Sequence, residues 1–254
     1  TTGRAAAVLA DSEASRNDII HYLRVSPDLV HTAPLALPPH YTPQPGLDDE
    51  RIRSNLGLSE PYALYLGGFD VRKNLRAVLS AFGFAQRVLP HIRLVVGGRL
   101  PESDTAFAPD PRRIAREVGL TGDAVRFIGF VPEEQKPAVY RGARAFVFPS
   151  IYEGFGYPPL EALSCGVPVI ASSASSLPEV IGEAGVLCEP DDDRGMAGAL
   201  IRLFNDDAHY NALRRQALAQ REVFSWDRTA SQTLAAYRFA ARNATDDPPA
   251  RAPQ

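Results

Sequence analysis

Six short runs of apolar, β-branched or aromatic residues punctuate the middle of the chain: YALYLGG (62–68), RLVVGG (93–98), VRFIGF (125–130), ARAFVFPS (143–150), VPVIAS (167–172) and GVLCEP (185–190). Runs this short and this continuous fit strands buried on both faces. Between them the apolar residues recur with helical spacing, over 74–89, 111–118, 132–142, 158–165, 177–181 and 194–204. Strands alternating with helices require crossover connections, so the pattern predicts a doubly wound α/β domain with a parallel, Rossmann-like sheet covered by helices on both faces. Two more helical stretches, 208–223 and 226–241, follow it.

Ahead of this pattern, AAAVLA reads as a short buried strand and DSEASRNDIIHYL as an N-capped helix. The segment LPPHYTPQPGL (37–47) holds four prolines and reads as an extended connector. The expected organisation is therefore residues 1–47 as the remnant of a preceding domain plus a linker, 48–241 as the α/β domain with its C-terminal helices, and 242–254 as a disordered tail of low apolar content. The opening residues show no basic region leading into an apolar core, so no secretory leader is expected.

Composition narrows the function classes. With 45% hydrophobic and 22% charged residues and a formal net charge of -3, the chain has no basic excess that would argue for nucleic acid. Apolar runs such as Ala145–Phe148 fall far short of the roughly 18 residues a membrane span needs. Cys165 and Cys188 form no Cys-x-x-Cys pair and sit in apolar settings, which predicts buried free thiols and fits a cytoplasmic protein. The five histidines show no ligand spacing, and no metal site is expected from them.

Parallel sheets bind ligands beyond the carboxyl ends of their strands, so chemistry is sought there. LYLGGFDVRKNL (64–75) places Gly67 and Gly68 directly after a strand and Arg72 and Lys73 before a helix, an arrangement that can bring backbone amides and cations to a phosphate. It serves equally as a tight turn with a solvated basic pair. It is neither a Walker loop nor a Gly-x-Gly-x-x-Gly fingerprint. VVGGRLP (95–101) ends another strand in glycines followed by Arg99, and a plain turn with a surface arginine explains it more simply.

The third strand end is the most informative. FVFPS feeds the loop IYEGFGYPP, where Gly154 and Gly156 free the backbone, and Pro158 or Pro159 suits the first turn of a helix that stops at Gly166. Glu153 then sits in the loop and Glu161 within the first turn or two of the helix. A lone Glu161 would only complement the helix dipole. Two carboxylates eight residues apart around a Gly-aromatic-Gly turn suit a polyhydroxylated ligand carrying a diphosphate, with hydroxyls on the carboxylates and phosphates on backbone amides. The acidic run Asp191–Asp193 precedes a helical stretch, and capping accounts for it.

PSIYEGFGYPPLEALSCGVPVIASSASSLPEVIGEAGVLCEPDD, together with LGGFDVRKNL and VRFIGFVPEEQKPAVYRGARAFVFPS, resembles the carboxyl-terminal, donor-binding half of retaining GT-B glycosyltransferases, in particular glycosyltransferase family four, the group 1 glycosyl transferases. The match runs from about Pro61 to Asp193 and more loosely to FSWDRTASQTLAAYRFA (224–240). The resemblance implies a hexosyltransferase that moves a sugar from a nucleoside diphosphate sugar to an acceptor, with retention and without a required metal or other cofactor. By the same resemblance Glu153 faces the donor sugar and Glu161 the ribose. Gly154, Phe155 and Gly156 form the turn whose amides approach sugar and phosphate. Lys73, with Arg72, neutralises the diphosphate leaving group, and Arg126, Phe127, Ile128 and Val131 lie where the base is held.

Two departures from the family pattern stand out. Many members carry an arginine just after the first glycine of the phosphate loop, where this chain has Gly68, so Arg72 or Arg99 is expected to substitute. The family's amino-terminal acceptor domain is largely absent, which leads us to expect a missing amino-terminal domain or a partner chain. The expected donor is GDP-mannose or a UDP-sugar, the acceptor a glycan, lipid-linked or small molecule, and the setting the cytoplasm, peripheral to the membrane in a longer protein. The rivals are a non-catalytic nucleotide-sugar-binding module, a nucleotide-sugar epimerase and a phosphorylase.

Overall fold

A computed structural model describes residues 5–58, 61–120 and 122–244. In chain order the elements are β1 (Val8–Ala10), α1 (Glu13–Leu23), β2 (Val30–Thr32), α2 (Asp49–Asn55), β3 (Tyr62–Leu66), α3 (Leu75–Val88), β4 (Leu94–Gly97), α4 (Pro111–Glu117), β5 (Val125–Gly129), α5 (Lys136–Gly142), β6 (Ala143–Phe148), α6 (Tyr157–Ser164), β7 (Val169–Ser172), α7 (Leu177–Ile181), β8 (Gly185–Cys188), α8 (Asp193–Asn205), α9 (Asp207–Arg221) and α10 (Trp226–Ala244). They fall into two compact units, one of Leu37–Val223 and one that joins the residues up to Ala36 with those from Phe224 onward.

The larger unit is built on a six-stranded, wholly parallel sheet in the order β5-β4-β3-β6-β7-β8. Chain order runs outward from the centre in both directions, so the sheet is doubly wound and its switch point lies between β3 and β6. The apolar runs form its inner strands: β3 and β7 are buried at every position. Helices cover both faces through stripes at helical spacing. In α3, for instance, Leu75, Val78, Leu79, Phe82 and Ala85 are buried while Arg76 and Arg87 face out. Aspartate side chains cap three of the helix starts, though Asp48 ahead of α2 makes no such bond. Asp110 accepts from the Arg112 amide ahead of α4, Asp192 from the Gly195 amide ahead of α8, and Asp206 from the His209 amide ahead of α9.

In the smaller unit β1 and β2 pair in parallel around α1, which Ser12 caps by accepting from the Ser15 amide. Here the structure divides the chain differently from the sequence expectation. α10 does not extend the sheet domain but packs on β1 and β2. The Thr229 hydroxyl donates to the Pro34 carbonyl, and His31 meets Phe239 edge-to-face at 4.7 Å. The proline-rich connector differs too, because Tyr41 within it is 2% exposed and belongs to the core of the larger unit. The expected tail lies outside the described residues from 245 onward, and α10 runs on to Ala244.

Cys165 and Cys188 are buried free thiols, and burial pushes Cys165 up to about 12. Among the described residues no helix is long and apolar enough to cross a membrane.

Candidate active site

The loops leaving β3 and β6 meet at the switch point, where a parallel sheet opens a crevice. After β3 the chain makes one 3-10 turn, Val71–Lys73, capped by Asp70. Asn74 follows in the left-handed region (φ 52°), and its side-chain amide donates to the Pro190 carbonyl at 2.7 Å. The Ile151 amide, from the loop after β6, donates to the Arg72 carbonyl at 2.8 Å. These ties bring Lys73 and Glu153 together. The Lys73 ammonium lies 2.6 Å from a Glu153 carboxylate oxygen and 5.4 Å from the centroid of Phe148. Their side chains are 19% and 14% exposed, so the pair is largely screened from water yet still reachable.

The Glu153 loop is clamped from the segment after β7. The Glu153 amide donates to Ser175 Oγ at 2.8 Å, and the Ser176 hydroxyl donates to the Glu153 and Phe155 carbonyls at 3.0 and 2.7 Å. Gly156 then begins α6 at φ 112°, a conformation L residues rarely adopt. Its missing side chain would also crowd Leu177 at 3.1 Å. Replacing Gly156 with alanine is expected to cost at least about 1–2 kcal/mol, read as a lowered melting temperature.

Glu161, one helical turn further on, is 5% exposed and has a partner for each oxygen. The Tyr140 hydroxyl donates to Oε2 at 2.7 Å, and Lys136 Nζ reaches Oε1 at 3.3 Å. Lys136 also pairs with Glu133 at 2.6 Å, and the Tyr41 hydroxyl donates to Glu133. Burial and the Glu161 charge hold the Tyr140 phenol well above its ordinary value, which keeps it a hydrogen-bond donor. Burial opposes the charge on Lys136, but Glu133 and Glu161 outweigh it and raise the lysine.

A cavity of about 290 Å³ lies beyond the carboxyl ends of β3, β4 and β5. Gly67, Gly68, Gly97 and Gly98 line it with Arg99, Phe130, Val131 and Lys136. The glycines permit this approach: the Gly67 amide donates to Gly97 O, and a side chain on Gly98 would collide with the Gly67 carbonyl. Arg99 lies over the Phe130 ring at 5.4 Å. Arg72 points into solvent, 56% exposed and paired with Asp70.

The structure separates the residues expected around a base. Val131 lines the glycine-walled cavity, but Arg126, Phe127 and Ile128 line a different groove of about 1060 Å³ with Asn55, His91 and Arg93. The reason is position along the strand. Residues 126–128 are in the body of β5, and the Arg126 guanidinium donates to Leu56 O, whereas only Gly129 and the residues after it reach the carboxyl end. Tyr140, Lys136, Glu133 and Tyr41 were not singled out from the sequence. The available signal was EEQK, two acids and a lysine directly after a strand end.

The doubly wound parallel sheet with its crevice at the switch point is the architecture of GT-B glycosyltransferase domains. The family model for the group 1 glycosyl transferases matches residues 48–220, and the chain belongs to that family. It is 35% identical over 238 residues to the O-antigen chain mannosyltransferase B of Escherichia coli, covering 91% of this chain and 60% of that protein. It is 31% identical over 236 residues to the serotype-specific mannosyltransferase WbdA of Escherichia coli, covering 89% of this chain and 28% of that one. The chain thus spans less than two thirds of either relative. Sucrose-phosphate synthase of Thermosynechococcus elongatus superposes with a TM-score of 0.77 at 29% identity, over 92% of this chain and 59% of that one.

Proposed function

We propose that the chain is the donor-binding part of a retaining, metal-independent glycosyltransferase that takes a hexose, mannose by preference, from a nucleoside diphosphate sugar. The observation that carries this reading is the Lys73–Glu153 pair in the loops at the switch point, where the glycine turns after β3 and β4 also wall a cavity. Mannose is favoured because both relatives described above are named mannosyltransferases. GDP-mannose is the first donor to test and a UDP-sugar the second, with a glycan, lipid-linked or small-molecule hydroxyl as acceptor, and the reaction placed on the cytoplasmic side.

The chemistry follows from where charge develops. Transfer exchanges the diphosphate oxygen on the anomeric carbon for an acceptor hydroxyl oxygen; the bonding pair leaves with the diphosphate, and the acceptor's hydroxyl proton is taken up by a departing phosphate oxygen. Fixed donors aimed at that growing negative charge stabilise the transition state more than the ground state. Lys73 has three N–H donors and gives one to Glu153, which leaves the ammonium able to meet a phosphate oxygen while held in place. The glycine turns let a ligand approach the backbone closely; the Gly67 and Gly98 amides themselves are already donated to the Gly97 and Gly129 carbonyls. Glu153 has the complementary tasks of orienting Lys73 and meeting the sugar hydroxyls or the positive charge that builds on the sugar ring. Glu161 suits the ribose hydroxyls. Arg99 and Lys136 supply further cations at the cavity wall.

Calorimetric titration with GDP, UDP and ADP and their common sugar conjugates, without added metal, tests the reading. Saturable binding of one base series is expected, and Glu161→Ala is expected to weaken it roughly tenfold or more, the scale of a hydrogen bond to a charged group. Binding of none of the three diphosphates would overturn the proposal. Transfer to acceptors is then assayed with the amino-terminal half supplied. Tight donor binding with no transfer in any mixture would favour the non-catalytic binding module instead.

A further inference from the structure

Glu161 is a carboxylate with a 7% exposed side chain, and such a charge is stable in place only if its oxygens are met by donors. Two of its partners, Tyr140 and Lys136, differ in kind, and the Tyr41 hydroxyl, bonded to Glu133, lies within reach as well. Tyr140 is 0% exposed, packs edge-to-face on Phe146 at 5.3 Å and faces Tyr41 at 6.4 Å, so its ring has a single position. Its hydroxyl meets Oε2 at 2.7 Å. Lys136 is 26% exposed, borders the glycine-walled cavity, and sits closer to Glu133 (2.6 Å) than to Glu161 Oε1 (3.3 Å). Glu133 is fixed in turn by the Tyr41 hydroxyl. One oxygen of Glu161 therefore has a permanent donor, and the other a donor with an alternative carboxylate to go to.

We propose that Tyr140 is a positioning residue of the donor site: it fixes Glu161 Oε2 from beneath, so that Oε1 is presented to a ligand hydroxyl, while Lys136 is the exchangeable partner that withdraws to Glu133 when the hydroxyl arrives. This rests on the reading of Glu161 as a donor-binding residue. Tyr140 is fully enclosed and cannot touch the ligand, so any effect it has on binding passes through Glu161. The exchange also exposes no unpaired charge, because the ammonium keeps its shorter contact throughout.

The test is a double-mutant cycle read by calorimetry with GDP and UDP, using the unaltered chain, Tyr140→Phe, Glu161→Ala and the double variant. Tyr140→Phe is expected to weaken binding of the preferred diphosphate roughly tenfold, and to change it less than about twofold when Glu161 is already alanine. The 2′,3′-dideoxy form of the same nucleotide should bind the unaltered and Tyr140→Phe chains alike, which a general loosening of the fold would not produce. Lys136→Met should weaken binding less than Tyr140→Phe does. Should the phenylalanine variant not fold, Tyr140→Met, of similar reach and without a hydroxyl, repeats the cycle. Equal losses from Tyr140→Phe with and without Glu161 would overturn the assignment while leaving the donor-site reading intact. No binding of either diphosphate by the unaltered chain would overturn both.

Discussion

On the transfer reading proposed above, Lys73→Ala is expected to lower sugar transfer roughly 10²–10³-fold in kcat, the scale seen when one preorganised donor to a developing oxyanion is removed. The argument rests on where the ammonium is held. It is tied to Glu153 at 2.6 Å, lies over the Phe148 ring at 5.4 Å, and rides on a turn locked by Asn74 to Pro190 and by Ile151 to Arg72. A cation so placed costs little reorganisation when the diphosphate departs. Removing it leaves Glu153, 14% exposed, without its counter-charge, so some loss of stability is expected as well. Two controls separate these effects. Affinity for GDP or UDP should fall in Lys73→Ala while affinity for the bare nucleoside stays the same, because only the phosphates meet the lysine. Lys73→Ala combined with Glu153→Gln should recover melting temperature without recovering transfer. Undiminished diphosphate affinity in Lys73→Ala would remove the lysine from the site.

The parts of this site that the sequence exposed are those fixed by local rules. A strand running into paired glycines, followed by a basic pair and a helix, can be read from a dozen residues, and the structure puts Gly67, Gly68 and Lys73 at the carboxyl edge. Helix bounds were similarly legible, as with α7 at Leu177–Ile181 and α3 at Leu75–Val88. What failed was anything requiring distance through space. The resemblance placed Arg126 with Val131 around the base, but Arg126 is near the start of β5, and a strand advances about 3.3 Å per residue, so a few residues carry a side chain away from the carboxyl end. Pro132–Gly142 reads as one helix. The structure opens that helix with a 3-10 turn, Glu133–Gln135, which runs straight into α5, and the Glu133–Lys136 contact spans the junction at i,i+3 spacing. Tyr41 was hidden for a different reason. Four prolines around it suggest an extended connector, but the chain turns at residues 39–40, where the Tyr41 amide donates to the Pro38 carbonyl, and a buried tyrosine reaches Glu133 across 92 residues.

The same limit concealed the ion pair that anchors α5, and with it Tyr140 and Lys136. Arg141 makes a two-pronged contact with Asp49 at the start of α2, 2.6 Å on each side, and donates to the Thr42 carbonyl at 3.0 Å. The Arg141 and Asp49 side chains are 12% and 8% exposed. Asp49→Ala is expected to destabilise the chain by about 3–5 kcal/mol in denaturant titration, because it leaves a buried guanidinium without its charge partner. Asp49→Ala with Arg141→Met should be less harmful than Asp49→Ala alone, since the uncompensated charge is gone. The pair also sets a pH dependence whose sign can be fixed. Burial works to raise Asp49, but the Arg141 contacts outweigh it, and the carboxyl is held below its ordinary value of 3.8. Its contribution is therefore complete above the unfolded value and is lost as pH falls through the lower folded value, below roughly pH 4. As pH falls below about 4 the unaltered chain should lose stability more steeply than Asp49→Asn, which has no proton to take up there. Parallel profiles for the two, or a loss under about 1 kcal/mol in Asp49→Ala, would mean that the Asp49–Arg141 pair does not anchor α5.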